Sequence, residues 1–468
     1  MILPSIFVCF CLASAVNYFR TRRQRKFITN LKGPFSFPLT GALLKIVLLT
    51  PKNFFKRSAD YLGKYGALTR CWIFDRLFIP VADLELAKQL LHSESHLETG
   101  QKLMSDWLGD SVLMCQQEHW SQRHQQIAAL FKPENMLQLT KLCQQQANQL
   151  CPQLVQQAET REIFDVWQIV SGNVLDLILT ELYRNRFLSI KSANRFTYWL
   201  ASPLKRRRQR RLIKVINAEN KQIVEQCRQQ QQTKMPMKSE VFIIDEFVST
   251  TPSREHQSLL DVLLEYEKLT DEQLCSELNT CNYLGYTLCS TTLCFALILI
   301  ARHPAVQQRC LEELRASRSA EDGNLPSLPY LDAVLKEVLR LHPPQLIVGR
   351  QLSQDFTYTH SLVGDGILPT GAEIYINLYE LQRCEQQYGK NAQHFQPERF
   401  MDHPPELLSF SLGPRSCPAQ QFSLSLLKTL LAPLLLQFEL LPHGDAVRPN
   451  LRLILGSQNG FLLALRQR

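Results

Sequence analysis

Residues 1–19 carry no charge and are mostly apolar, with Ile2, Leu3, Ile6, Phe7, Val8, Phe10, Leu12 and Val16 among them. As a helix, that stretch is just long enough to cross a bilayer core of roughly 30 Å at about 1.5 Å per residue. The next seven residues hold Arg20, Arg22, Arg23, Arg25 and Lys26. A basic cluster on that side keeps the bulk of the chain in the cytosol, so residues 1–19 read as a membrane anchor. A cleaved secretory signal is the competing reading, since Ala13-Ser14-Ala15 resembles a cleavage site, but no basic segment precedes the apolar stretch. Residues 20–41 read as a hinge, basic at first and then broken by Gly33, Pro34, Pro38 and Gly41. Residues 42–468 form one globular domain.

Within that domain long amphipathic patterns alternate with short turns, which predicts a mainly α fold with a smaller β region. Strand-like runs are few: Leu68–Phe74, Leu77–Val81, Glu373–Asn377, Leu451–Leu455 and Phe461–Leu465. The glutamine-rich stretches 143–158 and 228–232 are interleaved with Leu and Val and read as solvated helix faces. Residues 233–258 read as a surface excursion. Leu278–Ala301 is a second uncharged run, yet Asn279, Thr280, Asn282, Thr287, Ser290, Thr291 and Thr292 are poorly suited to lipid. Thr270 with Gln273 makes a capping box and His303-Pro304 ends the pattern. One buried spine of roughly 50 Å is expected, at about 1.5 Å per residue, with its polar middle beside a ligand.

Composition adds limits. With 45% hydrophobic and 20% charged residues, the 468-residue chain is not disordered, collagen-like or a disulfide scaffold. Its 14 cysteines lie singly, with no C-x-x-C, which excludes zinc ribbons and points to a reducing compartment. The net charge of +9 suits an anionic membrane or an acidic protein partner. The basic run Lys205–Arg211 lacks interleaved aromatics and reads as a solvated helix start rather than a nucleic-acid patch, so no nucleic-acid partner is expected.

The segment Phe410-Ser-Leu-Gly413-Pro-Arg415-Ser-Cys417-Pro-Ala419 stands apart. Gly413 permits a tight turn, Arg415 sets a cation two residues before a thiol, and an apolar helix follows from Ala419 to Leu435. A thiol near a helix N-terminus is biased toward the thiolate, the metal-binding form. The string resembles the haem-binding loop of the cytochrome P450 family, Phe-x-x-Gly-x-Arg-x-Cys-x-Gly, with Ala419 replacing the last Gly. Pro397-Glu398-Arg399-Phe400 and the pair Glu337 and Arg340 resemble two further family segments in the expected order. Periodicity alone places Glu337 and Arg340 on the polar side of their helix. The resemblance instead implies that they join Arg399 in a core lock.

It further implies a P450 fold holding haem b, with Cys417 as axial thiolate and Phe410 and Gly413 shaping the loop. Arg350 and Arg415 are implied as propionate partners. Trp120 resembles the family's Trp-x-x-x-Arg helix, where His124 takes the Arg position and Arg123 is the neighbouring cation. The likeness is greatest to the microsomal fatty-acid ω-hydroxylase branch, through Glu277-Leu-Asn-Thr280, Ala301–Pro304 and Gln420–Phe422.

One departure matters. The family's central-helix motif is Ala/Gly-Gly-x-Asp/Glu-Thr, whose acid and alcohol deliver protons to dioxygen. Here Gly285 is kept, Thr287 stands at the acid position and Leu288 at the alcohol position. Leucine donates no proton, and Thr287 is rotated by about 100° from the alcohol position. Thr287 is therefore either a partial catalytic substitute or a hydroxyl bonded to its own helix. Leu284 replaces the glutamate that esterifies haem in related proteins, so no covalent ester is expected. The resemblance implies a monooxygenase oxidising a fatty acid, steroid-like molecule or xenobiotic at the cytosolic face of the endoplasmic reticulum. Its electrons would come from NADPH-cytochrome P450 reductase, with cytochrome b5 as a second donor. The alternatives are an isomerase or lyase of an oxygenated lipid, which needs no acid–alcohol pair, and a haem-binding protein without turnover.

Overall fold

The computed structural model describes residues 2–50, 52–93, 104–115, 117–183, 206–234, 258–264, 269–317, 327–361, 364–402, 404–451 and 454–468. Most of the 233–258 stretch, Lys205 and residues 195–204 lie outside the described residues.

The central helix spans Asp271–Arg302, 32 residues. Thr270 accepts from the Gln273 backbone N–H and the Gln273 side chain reaches back to Thr270, the reciprocal cap expected from the sequence. Pro304 opens the next helix, Pro304–Ser317. Nearly the whole central helix is buried in protein, which accounts for its apolar length without a membrane. Around it pack the helices Pro133–Thr160, Trp167–Tyr183, Arg206–Lys234, Pro329–Leu341 and Gln420–Gln437. Their apolar faces form one continuous core, with Leu293, Phe295, Val334, Leu335, Leu430 and Leu434 at its centre. Proline at the first turn starts two of these helices, Pro133 and Pro329, where a missing N–H costs nothing.

The strands are β1 (Cys71–Ile73), β2 (Arg76–Val81), β3 (Phe164–Asp165), β4 (Ile347–Gln351), β5 (Phe356–Tyr358), β6 (Gly366–Leu368), β7 (Glu373–Asn377), β8 (Phe438–Pro442), β9 (Pro449–Leu451), β10 (Leu455–Ser457) and β11 (Leu462–Gln467). The main sheet has the order β1-β2-β7-β4, with β2 and β7 parallel and Ile79 facing Ile374 in register. It carries a second core of Leu77, Ile79, Val81, Ile374 and Ile376. The run Leu451–Leu455 is not one strand: β9 and β10 pair antiparallel, Leu451 opposite Leu455.

The N-terminal helix is longer than the apolar stretch, running Ile2–Phe27. The segment read as a hinge therefore divides. Its basic first part is helical and rests on the body: Arg23 pairs with Asp355 at 2.7 Å, Gln24 donates to the Thr370 carbonyl at 2.9 Å, and Arg25 stacks on Trp72. Ile28 beyond it is fully buried. Phe7, Leu12, Val16 and Phe19, nearer the N-terminus, are exposed.

Candidate haem-thiolate site

The cysteine loop is held from three directions. Within it, the Cys417 N–H donates to the Phe410 carbonyl at 2.8 Å and the Ser416 N–H to the Gly413 carbonyl at 3.0 Å. Gly413 has φ +69°, and a Cβ there would lie 2.5 Å from the Leu91 carbonyl oxygen, so the loop needs glycine to lie against the Leu84–His92 helix.

The second hold comes from the Pro329–Leu341 helix. Arg340 and Glu337 are fully buried and doubly bonded, at 2.6 and 2.7 Å. Arg340 also donates to the carbonyls of Gln382 and Ala392, and Glu337 accepts from the Gln396 N–H and faces Arg399 at 3.5 Å. This corrects the periodicity reading of an exposed pair: the Arg340 donors are met by Glu337 and by the distant carbonyls of Gln382, Ala392 and His394, the condition under which a buried ion pair is tolerated. Gln382 carries the lock to the loop. Its side chain accepts from the Leu408 N–H at 3.1 Å and donates to Ser409 at 3.1 Å.

The third hold is the Gln117–Leu130 helix. His124 Nε2 donates to the Ser416 carbonyl at 3.2 Å, and the Arg415 guanidinium lies 4.3 Å over the Trp120 ring, which also packs on His124. Arg123 turns elsewhere. It binds the Asp110 carbonyl, Asp110 Oδ2 at 2.8 Å and Glu277 Oε1 at 3.5 Å. Of the two cations named from the sequence on this helix, the structure thus brings His124, not Arg123, to the cysteine loop.

Arg350 reaches the same loop from β4, donating to Ser411 Oγ at 3.3 Å, while its buried Nε has no partner and no carboxylate pairs with it among the described residues. Burial and the nearby Arg415 push Arg350 down to about 10, and burial does the same to Arg415. Two desolvated guanidiniums side by side are unfavourable alone and suit a bound dianion. Cys417 sits between them and the Gln420–Gln437 helix. Burial pushes its thiol up, against the opposing pull of the Ala419 N–H, so the helix terminus alone does not yield the thiolate expected from position. A coordinated metal would supply the missing charge. A thiol, an N–H aimed at it, and two desolvated cations on the rim are together a donor set that fits haem.

The central helix passes opposite. Cys281 and Cys289 lie within electrostatic reach of Cys417, and burial raises both thiols. Thr287 is fully buried and donates to the Tyr283 carbonyl at 2.6 Å, the self-bonded alternative. Sequence reasoning missed the polar seam about two to three turns earlier. Glu277 is fully buried, Asn279 binds Asn217 and Asn220, and both hold the segment Met104–Cys115. The only signal for it was the density of Asn and Thr in an otherwise apolar helix.

Comparison with known proteins agrees with this geometry. The cytochrome P450 family model matches residues 31–464. A Drosophila melanogaster protein described as probable cytochrome P450 316a1 is 55% identical over 490 aligned positions, covering 100% of both chains. Cytochrome P450 4d8 of the same fly is 32% identical over 90% of this chain and 98% of its own. A crystal structure of a cytochrome P450, CYP102L1, superposes with a TM-score of 0.77 at 20% identity, over 94% of this chain and 98% of that one. The chain belongs to the cytochrome P450 family, whose members are haem-thiolate oxidoreductases of the monooxygenase type.

Proposed function

We propose that this chain is a membrane-bound monooxygenase that oxidises a lipophilic substrate, with Cys417 as the thiolate ligand of haem b. The observation that carries the reading is the convergence of Cys417, Arg350, Arg415, Trp120 and His124 on one loop beneath the central helix. Arg350 and Arg415 would neutralise the propionates and His124 would steady the loop. The haem supplies the redox chemistry that activates dioxygen, with electrons from an NADPH-dependent flavoprotein reductase and cytochrome b5 as a second donor. Leu284 offers no carboxyl for a covalent ester.

The apolar cluster of Met104, Trp107, Leu108, Ile213, Ile216 and Tyr283 supports a lipophilic substrate, because it gathers buried, uncharged side chains on and beside the central helix. The fatty-acid, steroid-like and xenobiotic classes all suit such surroundings. Exposed Phe7, Leu12, Val16 and Phe19 on the N-terminal helix, with Phe35, Phe37, Val47 and Phe74 on the body, support attachment to the endoplasmic reticulum membrane with the domain in the cytosol.

Thr287 spends its proton on its own helix and Leu288 has none, so proton delivery rests on groups outside the usual pair. Dioxygen reduction is then expected to leak peroxide. The same observation favours a second reading, rearrangement of a lipid hydroperoxide, which brings its own O–O bond. The decisive experiment is the carbon monoxide difference spectrum of the reduced full-length protein beside Cys417→Ala. A strongly red-shifted Soret band lost in the variant supports thiolate ligation; its absence in folded, haem-loaded protein overturns both enzymatic readings. NADPH-dependent product formation against NADPH-free hydroperoxide consumption separates the two.

A further inference from the structure

The first polar turns of the central helix clamp the segment Met104–Cys115. Gly109 has φ +51°, and a Cβ there would collide with Ser276 Oγ. The Val112 N–H donates to Glu277 Oε1 at 2.8 Å, and Asn279 Nδ2 donates to the Trp107 carbonyl at 3.1 Å. Asn279 also binds Asn217 and Asn220 of the Arg206–Lys234 helix, each at 2.8 Å. Two helices and one segment are thereby fixed around a common seam.

Three oxygens at that seam have no hydrogen-bond partner within the protein: Glu277 Oε2, Ser111 Oγ and Thr280 Oγ1. All three residues are fully buried. Ser111 adjoins Val112, which is bonded to Glu277, and Thr280 is the helical neighbour three residues on. Buried polar groups are nearly always paired, so three orphans together mark a place where one more polar group belongs. Cys281, the next residue, lies within electrostatic reach of both Glu277 and Cys417, which puts the trio on the flank leading to the cysteine loop. Met104, Trp107, Leu108 and Tyr283 supply an apolar surround.

Charge selects among polar groups. Among the described residues Arg123 is the cation facing Glu277, and it is already shared with Asp110, whose carboxyl is held low by Gln273 and Arg123. The other titratable neighbours, Cys115 and Cys281, are thiols raised by burial and stay neutral. With Glu277 ionised, two acids face one base. A carboxylate is repelled there, whereas a hydroxyl can donate to Glu277 Oε2 and accept from Ser111 or Thr280.

We propose that Glu277, Ser111 and Thr280 form a polar subsite that binds a neutral hydroxyl group on the lipophilic substrate and turns away a carboxylate. This rests on the reading above of a lipophilic substrate beside haem, and it favours alcohols and hydroxylated lipids over free fatty acids.

The test uses full-length, haem-loaded protein in detergent at pH 8, titrated with 1-dodecanol, its methyl ether and dodecanoate. Binding is followed by the Soret shift and, independently of haem, by thermal stabilisation. Dodecanol is expected to bind about tenfold more tightly than either analogue, the worth of one well-placed hydrogen bond to a charged acceptor. Thr280→Val and Ser111→Ala should each erode dodecanol binding while sparing the ether. Glu277→Gln, which keeps an acceptor and loses the charge, should admit dodecanoate. Equal affinity for all three probes, tightest binding of dodecanoate, or no binding by either readout overturns the subsite and leaves the trio holding water alone. Loss of the carbon monoxide band would instead condemn the haem-thiolate reading, and thermal stabilisation would still report on the subsite.

Discussion

Replacing Glu277 by Gln should stabilise the protein above neutral pH, although it removes half of a buried ion pair. Burial is the largest influence on this carboxyl and pushes it from 4.5 up to about 7, outweighing the Val112 N–H and the Arg123 guanidinium. The native state therefore holds its proton more tightly than the unfolded chain does. Stability from this group is present below about pH 4.5 and is lost as pH rises through 7. A shift of about 2.5 units is worth about 3 kcal/mol at about 1.4 kcal/mol per unit. Gln keeps the acceptor for Val112 and avoids the ionised form, and the attraction to Arg123 is already counted in the net shift. At about 2 cal/mol/K per residue the unfolding entropy of this chain is roughly 1 kcal/mol/K, so the expected gain is about 3 °C at pH 8. The difference should shrink below pH 7 and be largely gone near pH 5. Thermal unfolding of both proteins between pH 5 and pH 8 measures it. A variant less stable than the parent at pH 8, with the deficit closing at pH 5, would show that ionised Glu277 supports the fold through Arg123 and would refute the reasoning.

Four other outcomes follow from the same geometry. Leu288→Thr restores a hydroxyl at the relay position and is expected to raise product formed per NADPH severalfold at the expense of peroxide. Thr287→Val should leave that ratio unchanged and cost about 1 kcal/mol for its bond to Tyr283. Glu337→Gln strands the fully buried Arg340 and should cost about 3–5 kcal/mol, read as loss of the carbon monoxide band per total protein. Gly413→Ala sets a Cβ against the Leu91 carbonyl at φ +69° and should abolish that band while far-ultraviolet circular dichroism stays near the parent.

The central helix was legible because its ends are written locally, in Thr270, Gln273 and Pro304, and its length in an unbroken apolar run. Strands with clean alternation were equally legible: β2 and β7 fall where Leu77–Val81 and Glu373–Asn377 predict them. Five strands escaped: β5 and β6 are three residues each and pair as a two-stranded ribbon, too short for a pattern, and the other three escaped for separate reasons. In β4, Gly349 and Arg350 interrupt the apolar pattern, and pairing with β7 supplies what propensity does not. β8 follows the Gln420–Gln437 helix with no breaker between them, so the apolar run conceals the change of period. β3 is two residues long and exists only through β11. Burial of Glu337 and Arg340 was invisible to periodicity because their partners, Gln382, Ala392, His394 and Gln396, are 42 to 59 residues away. The division of labour between Arg123 and His124 was likewise decided by Asp110 and Glu277, which share no local pattern with either.

The placing of carboxylates bears directly on which chemistry this chain performs. Within the buried span of the central helix, its one acid stands at Glu277, against the segment Met104–Cys115, and the position that carries an acid in related proteins holds Thr287. The scaffold around the cysteine loop shows no matching erosion: the Glu337–Arg340–Arg399 lock, Gln382 and the close fit of Gly413 are complete. A frame built to hold haem rigidly, joined to a helix that cannot deliver protons in the usual way, suits two kinds of substrate. One brings a hydroxyl or a water to the relay position itself. The other arrives with an O–O bond already made. A hydroxyl-binding seam at Glu277 favours the first, because a substrate anchored by an alcohol can place a second polar group or an ordered water near Leu288. On that argument Leu288→Thr should improve coupling most for substrates lacking such a group, and a uniform effect across substrates would count against substrate-assisted proton delivery.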